Sequence, residues 1–261
     1  MRLVKISACL IVYNEEKVIK RCLDSIRNIA DEIIIVHDGP CSDRTLDICK
    51  KYTKKIFVRK HIGEAEPHRP FALKKAKGKW VLVLDADEYL SKESQENIKG
   101  LIQSKGVDGY RFIWSIYYRG KKVSFGPLSR LHRLILFRKN RTIISGIIHD
   151  WYRVSGCIRN VNLVIEHKPV NDSYTYKQFK KKDLKWAFIQ AKRQIKEKGI
   201  KYSSFFYIFK AILLFLYCLF YFIFVKFYFI NGFLGIKFSF FEAMYNFHVN
   251  WHIFRLKLKN R

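Results

Sequence analysis

Between Ile6 and Tyr13 the chain reads ISACLIVY, a near-continuous apolar run of strand length. The segment that follows, NEEKVIKRCLDSIRNI, places Val18, Ile19, Cys22, Leu23 and Ile26 at the spacing of one helical face. Asn14 is suited to cap that helix, and Glu15 and Glu16 to sit at its positive end. The pattern repeats: DEIIIVHD (31–38) is a second apolar strand, and SDRTLDICKKY a short helix with Ser42 or Asp43 as cap. KIFVR is a third strand, PFALKKAKGKW a helix closed by Gly78, and WVLVLD a fourth strand. Strands apolar on both faces and alternating with helices predict an α/β fold with a parallel, helix-covered sheet.

In such sheets ligands bind beyond the carboxyl ends of the strands. Here those ends are polar: Tyr13, Asn14 and Glu15 after the first strand, Asp38 after the second, Asp85 and Asp87 after the fourth. Two carboxylates one residue apart point to opposite faces of an extended strand, so Asp85 and Asp87 can share a ligand only at a strand end or turn. An acidic pair placed there suits a divalent cation bound through oxygen, with a nucleotide diphosphate supplying further ligands. A solvated turn is the alternative.

Residues 101–170 break into shorter pieces, GYRFIWSIYYRG, RLILFR, TIISGIIHDWYRV and NLVIEHKP. Their alternation and aromatic content predict mixed or antiparallel strands that complete the sheet. A basic helix follows from Asp172 to Gly199. Between Lys210 and Lys226 lie fifteen uncharged residues, AILLFLYCLFYFIFV. As a helix they extend about 22 Å, less than the roughly 30 Å of a bilayer's hydrocarbon core. An interfacial or re-entrant hydrophobic helix is the first expectation; a single span and a buried core helix are the alternatives.

Charge sharpens this picture. The net +28 of the 261 residues is uneven: residues 1–100 hold 20 basic and 15 acidic side chains, residues 101–261 hold 30 and 7. A basic, aromatic-rich half (the chain has 22 Phe and 15 Tyr) points to an anionic membrane surface as partner, with nucleic acid the less favoured rival. The six cysteines form no metal-binding spacing and read as free thiols of a reducing compartment. The amino terminus shows no signal-peptide pattern, so a cytoplasmic location is expected.

CLIVYNEEKVIKRCLDSI, DEIIIVHDGPCSDRTLDICKKY and FALKKAKGKWVLVLDADEYLS occur in an order and spacing that resembles family 2 glycosyltransferases. The similarity is to the branch acting on lipopolysaccharide core or capsular sugars. It implies a GT-A fold, a Rossmann-like mixed sheet flanked by helices, over residues 1–170, with 171–261 as a helical membrane-associating extension. It also implies an inverting transfer from a nucleoside-diphosphate sugar to a glycan or lipid-linked hydroxyl at the cytoplasmic membrane face, with Mn2+ or Mg2+.

By the same resemblance Tyr13, Asn14, Glu15 and Asp38 line the nucleotide pocket, and Asp85 faces the sugar or ribose. Asp87 and His167 bind the metal. Asp43 contacts the ligand or merely caps a helix. Asp150, in IIHD where relatives carry His-Glu, is the expected base, with His149 a lesser candidate metal ligand. The loop GEAEPHRPFALKK departs from the Gln-Lys-Asn of that branch, leaving Arg69 to meet the pyrophosphate. The cluster SRLHRLILFRK is expected to meet an acidic acceptor or to be a solvated strand edge. A polyprenyl-phosphate acceptor and a non-catalytic GT-A scaffold that binds membrane or nucleic acid are the competing functions.

Overall fold

The computed structural model describes residues 5–144, 152–170, 175–199 and 203–259. They divide into two compact units, one within Met1–Lys122 and Arg130–Asn171, the other within Val123–Ser129 and Asp172–Arg261.

The first unit is built on β1 (Ile6–Val12), β2 (Glu32–Asp38), β3 (Ile56–Arg59), β4 (Trp80–Val83), β5 (Glu88–Leu90), β6 (Gly109–Tyr118), β7 (Lys121–Lys122), β8 (His132–Arg138), β9 (Thr142–Ile143), β10 (Arg153–Val154) and β11 (Ile158–His167). Its main sheet runs β3-β2-β1-β4-β8-β6-β11-β5, with β7 beside β6, and β9 and β10 form a separate pair. The strands β3-β2-β1-β4 are mutually parallel, as their two-sided apolar runs require. β8 then pairs antiparallel with both β4 and β6, β11 runs parallel to β6, and β5 closes the edge antiparallel to β11. The result is the mixed sheet of a GT-A fold.

Helices α1 (Ile19–Ile26), α2 (Thr45–Lys50), α3 (Arg69–Lys75) and α4 (Lys92–Leu101) cover it, α3 against β1 and β2, α1 against β5, and α4 against β11 and β5. Ile19, Cys22, Leu23 and Ile26 are buried, so α1 presents the face that its periodicity predicts. Its start differs from expectation. α1 begins at Ile19 without a side-chain cap, while Asn14 has φ of +53° and exchanges two hydrogen bonds with Ser42. Asn14 therefore ties the β1 end to the β2–α2 loop. Asp43 is not the N-cap of α2, which is Arg44; it accepts the Thr45 N–H at 2.8 Å and the Glu16 N–H at 3.1 Å and so ties the start of α2 to the segment before α1. Gly78 does not close α3, which ends at Lys75. A Cβ at Gly78 would lie 2.7 Å from the Ser7 backbone nitrogen, so its role is close approach to β1. Cys9 and Cys22 are buried free thiols; burial pushes the Cys9 thiol up to about 12, which makes it a packing group.

The second unit contains α5 (Tyr176–Gln178), a π-helical turn at Phe179–Asp183, α6 (Leu184–Lys198), α7 (Ser204–Phe220) with a π-helical continuation Tyr221–Val225, and α8 (Gly232–Lys259). Gly199 stops α6 as expected, with φ of +66° and its N–H on the Ile195 carbonyl. α7 and α8 form an antiparallel hairpin: Phe222 stacks on Tyr228, Phe215 meets Phe240 and Phe247, and Tyr207 packs with Val249 and Ile253. Ala187 and Ala191 of α6 complete that small core.

Candidate active site

β4 stops at Val83, and Leu84–Asp87 form a turn because Asp85 and Glu88 bond reciprocally. The Glu88 N–H donates to the Asp85 carbonyl at 3.0 Å, and the Asp85 N–H to the Glu88 carboxylate at 2.9 Å. The turn lets the two aspartates diverge from strand alternation, as a shared site requires.

Glu88 is completely buried. It also accepts a hydrogen bond from Trp114 Nε1 at 2.8 Å and pairs with Arg133. The other end of the Arg133 guanidinium lies 2.9 Å from Asp85 Oδ2, while Arg69 Nη2 is 3.9 Å from Oδ1. Asp85 is thus flanked by cations yet keeps 45% of its side-chain surface. Burial opposes its ionisation, but the guanidiniums of Arg133 and then Arg69 outweigh that and hold its carboxyl well below the usual range. For Glu88 burial prevails over Arg133, and its carboxyl is raised.

Asp87 faces a different partner. The antiparallel pairing of β5 and β11 sets His167 opposite Glu88, which brings His167 Nε2 to 3.3 Å from Asp87 Oδ2. The Trp114 ring packs on His167 at 4.8 Å, and the Asp87 carbonyl accepts the Lys168 N–H and an Arg21 guanidinium N–H. One carboxylate oxygen and one imidazole nitrogen side by side fit a divalent ion that takes its remaining ligands from a diphosphate and water. Among the described residues no group of three or more His, Cys, Asp or Glu is placed to hold a metal ion.

At the ends of β1 and β2, Tyr13 is 45% exposed and its ring lies 4.7 Å from that of His61 and 5.8 Å from that of His37. Asp38 is almost fully buried. Its Oδ1 accepts from Ile62 N and His68 Nε2 at 2.7 and 2.8 Å, its Oδ2 from Gly63 N at 2.7 Å. Burial disfavours its charge, but these donors outweigh it and lower its carboxyl below the ordinary value. Asp38 therefore anchors the 61–63 loop, whose His61 ring lies against that of Tyr13. The Glu15 N–H donates to Thr45 Oγ1 at 2.6 Å, fixing the adjacent turn.

Asp85, Asp87, Arg69 and His167 are thus gathered around one turn, and Tyr13, Asn14 and Asp38 around the neighbouring strand ends. His149 and Asp150 lie outside the described residues. The sequence leaves Glu88, the third acid of DADE, without a role and does not single out Arg133 or His68, yet all three contact the candidate site residues Asp85 or Asp38. Arg133 belongs to the basic cluster expected to meet an acceptor or line a strand edge, but its side chain is 11% exposed and turned onto Asp85 and Glu88. The available signal was the arginine that opens the apolar run RLILF.

Several known proteins with similar sequences are named glycosyltransferases. An uncharacterised glycosyltransferase of Rickettsia typhi is 36% identical over 153 residues, covering 56% of this chain and 52% of the relative. The poly(ribitol-phosphate) beta-glucosyltransferase of Bacillus spizizenii is 35% identical over 127 residues, 41% of this chain and 20% of that protein. The chain thus spans about half or less of the length of these curated relatives. The crystal structure of S. aureus TarS 1–349 in complex with UDP-GlcNAc shares the fold, with a TM-score of 0.50 and 17% identity over 93% of this chain and 80% of that one. The sequence profile described as Glycosyl transferase family 2 matches residues 7–165, more than half of the chain, and the chain belongs to that family.

Proposed function

We propose that this chain transfers a sugar, with inversion, from a nucleoside-diphosphate donor to a hydroxyl of a membrane-linked glycan or glycolipid at the cytoplasmic face of the membrane. The observation that carries the reading is the turn Asp85–Glu88, which offers Asp87 with His167 to a divalent cation and Asp85, between Arg69 and Arg133, to the donor. A bound Mn2+ or Mg2+ would stabilise negative charge on the departing diphosphate. Arg69 supplies a second positive charge near that position. Tyr13 and His61 offer ring surface to the base, and Asp38 holds the loop that carries His61. Asp150 is the assigned base, drawn from the family resemblance.

The excess of basic side chains after residue 100 supports an acceptor or surface rich in phosphate, as does the similarity to poly(ribitol-phosphate) transferases. The domain 1–170 is proposed to do the chemistry and 171–261 to bind the membrane. The decisive experiment is a binding screen of UDP-, GDP-, TDP- and CMP-sugars with and without Mn2+. A single nucleotide class bound at least tenfold more tightly with metal supports the reading, and no nucleotide binding under any condition sinks it. Activity retained by Asp150→Ala would instead favour a polyprenyl-phosphate acceptor, which needs no strong base.

A further inference from the structure

We infer that the α7–α8 hairpin lies in the plane of an anionic membrane surface without crossing the bilayer. This rests on the membrane association proposed above and goes further, because it decides between spanning and lying flat.

By length and composition Phe205–Val225, 21 residues, suffices to cross a membrane. One outward stripe along it carries the apolar surface: Phe205, Phe209, Leu213, Leu216, Phe220 and Phe224 are all exposed. They recur at three- and four-residue steps, so they share a side while the opposite side packs on α8. A helix that crossed with α7 outermost would take α8 with it, because the two run antiparallel along most of α7. α8 carries Lys237, Glu242, Asn246 and Asn250, a return leg unsuited to hydrocarbon.

The hairpin tip is fixed within the same unit. After the π-helical turn, closed by the Lys226 N–H on the Tyr221 carbonyl at 2.8 Å, Phe227 adopts φ of +55° and the chain reverses through Tyr228–Asn231. Asn231 at this tip is held by the segment Val123–Ser129. Its Nδ2 donates to the Phe125 carbonyl at 2.7 Å, and its Oδ1 accepts the Leu128 N–H at 3.3 Å. Gly126, with φ of +71°, leaves room for that amide, since a Cβ there would be 2.6 Å from it.

Lys210 and Lys226 flank the stripe, and with the basic excess of residues 101–261 they make anionic headgroups the matching occupant.

The test uses the full chain expressed in a bacterium with a Lys226→Cys substitution, a membrane-impermeant maleimide, and the exposed Cys157 of the first unit as internal reporter. Both thiols are expected to stay unlabelled in intact spheroplasts and to react together in inverted vesicles. Labelling of the introduced thiol in intact spheroplasts would overturn the in-plane geometry while leaving membrane association intact. Recovery of the chain wholly in the soluble fraction, with no flotation on phosphatidylglycerol vesicles, would remove the membrane reading itself. So would a soluble dimer buried on this stripe. A paired Leu216→Glu, Phe220→Glu variant should lower vesicle partitioning by about tenfold or more with an unchanged melting transition. Unchanged partitioning would mean that the stripe is not the contact.

Discussion

At Glu88, a fully buried carboxylate lies one position beyond Asp87, and the two acids are held in opposite ways. Glu88 is engaged by Asp85 N–H, Trp114 and Arg133, so its part is to shape the turn, whereas the Asp87 carboxylate lies beside a histidine with which it could share a metal. Two outcomes follow. Asp87→Asn should lower Mn2+-dependent donor binding or turnover by about a hundredfold with little change in melting temperature. Asp85→Asn should instead lower the melting temperature, because it leaves Arg133 and Arg69 with one fewer counter-charge. Titrating both variants with Mn2+ and following their thermal denaturation separates the roles.

Removing the cation tests the same network from the other side. Arg133→Met leaves Asp85 and Glu88 adjacent without the guanidinium between them, at a cost on the order of 3–5 kcal/mol near neutral pH. Both carboxyls are then raised above their unfolded values in the folded protein, so it binds more protons than the unfolded chain. Stability lost as pH rises is the signature of raised carboxyls, and the deficit should be larger at pH 8 than at pH 5.5. Urea unfolding at the two pH values gives the comparison; a deficit independent of pH would mean that packing, and not charge, sets the cost.

Among the elements, β1, β2, β4 and the buried face of α1 were legible because local patterning decides them: both faces of the strands are covered, and the helix has one stripe. Glu88 and Arg133 were not, because their meaning comes from pairings far apart in sequence, β5 with β11 and β8 with β4 and β6. Asp38 was legible as a strand-end acid but not as an anchor, since Ile62, Gly63 and His68 reach it only through the fold of the following loop. Likewise, nothing in Val123–Ser129 foretold its place at the α7–α8 tip.

Helix α8 makes a prediction at this scale. Burial, and then Asp183, push the Glu242 carboxyl up to about 7. Burial also raises Asp183. Because Glu242 is protonated more readily when folded than when unfolded, its burden on stability is absent below about pH 4.5 and grows as pH rises through 7. Glu242→Gln should therefore stabilise the protein by about 2 kcal/mol at pH 8 and have almost no effect at pH 4.5, read from thermal denaturation at each pH. A gain of equal size at both would locate the effect in packing.

For the whole molecule, charge and apolar surface act together and salt distinguishes them. The exposed stripe on α7 supplies a contribution proportional to buried area and insensitive to ions, and the surplus of Lys and Arg supplies one that counter-ions weaken. Each basic group near an anionic surface contributes about 1 kcal/mol within a Debye length, which shrinks from about 10 Å at 0.1 M salt to about 3 Å at 1 M. Raising NaCl from 0.1 to 1 M should then lower binding to vesicles containing phosphatidylglycerol by at least tenfold. The weaker binding to neutral phosphatidylcholine vesicles, carried by the stripe alone, should change little. The stripe variant should show the reverse pattern, with residual binding to anionic vesicles that disappears in salt. Co-sedimentation across the salt series measures both, and anionic-vesicle binding insensitive to salt would rule out headgroup charge as a contributor.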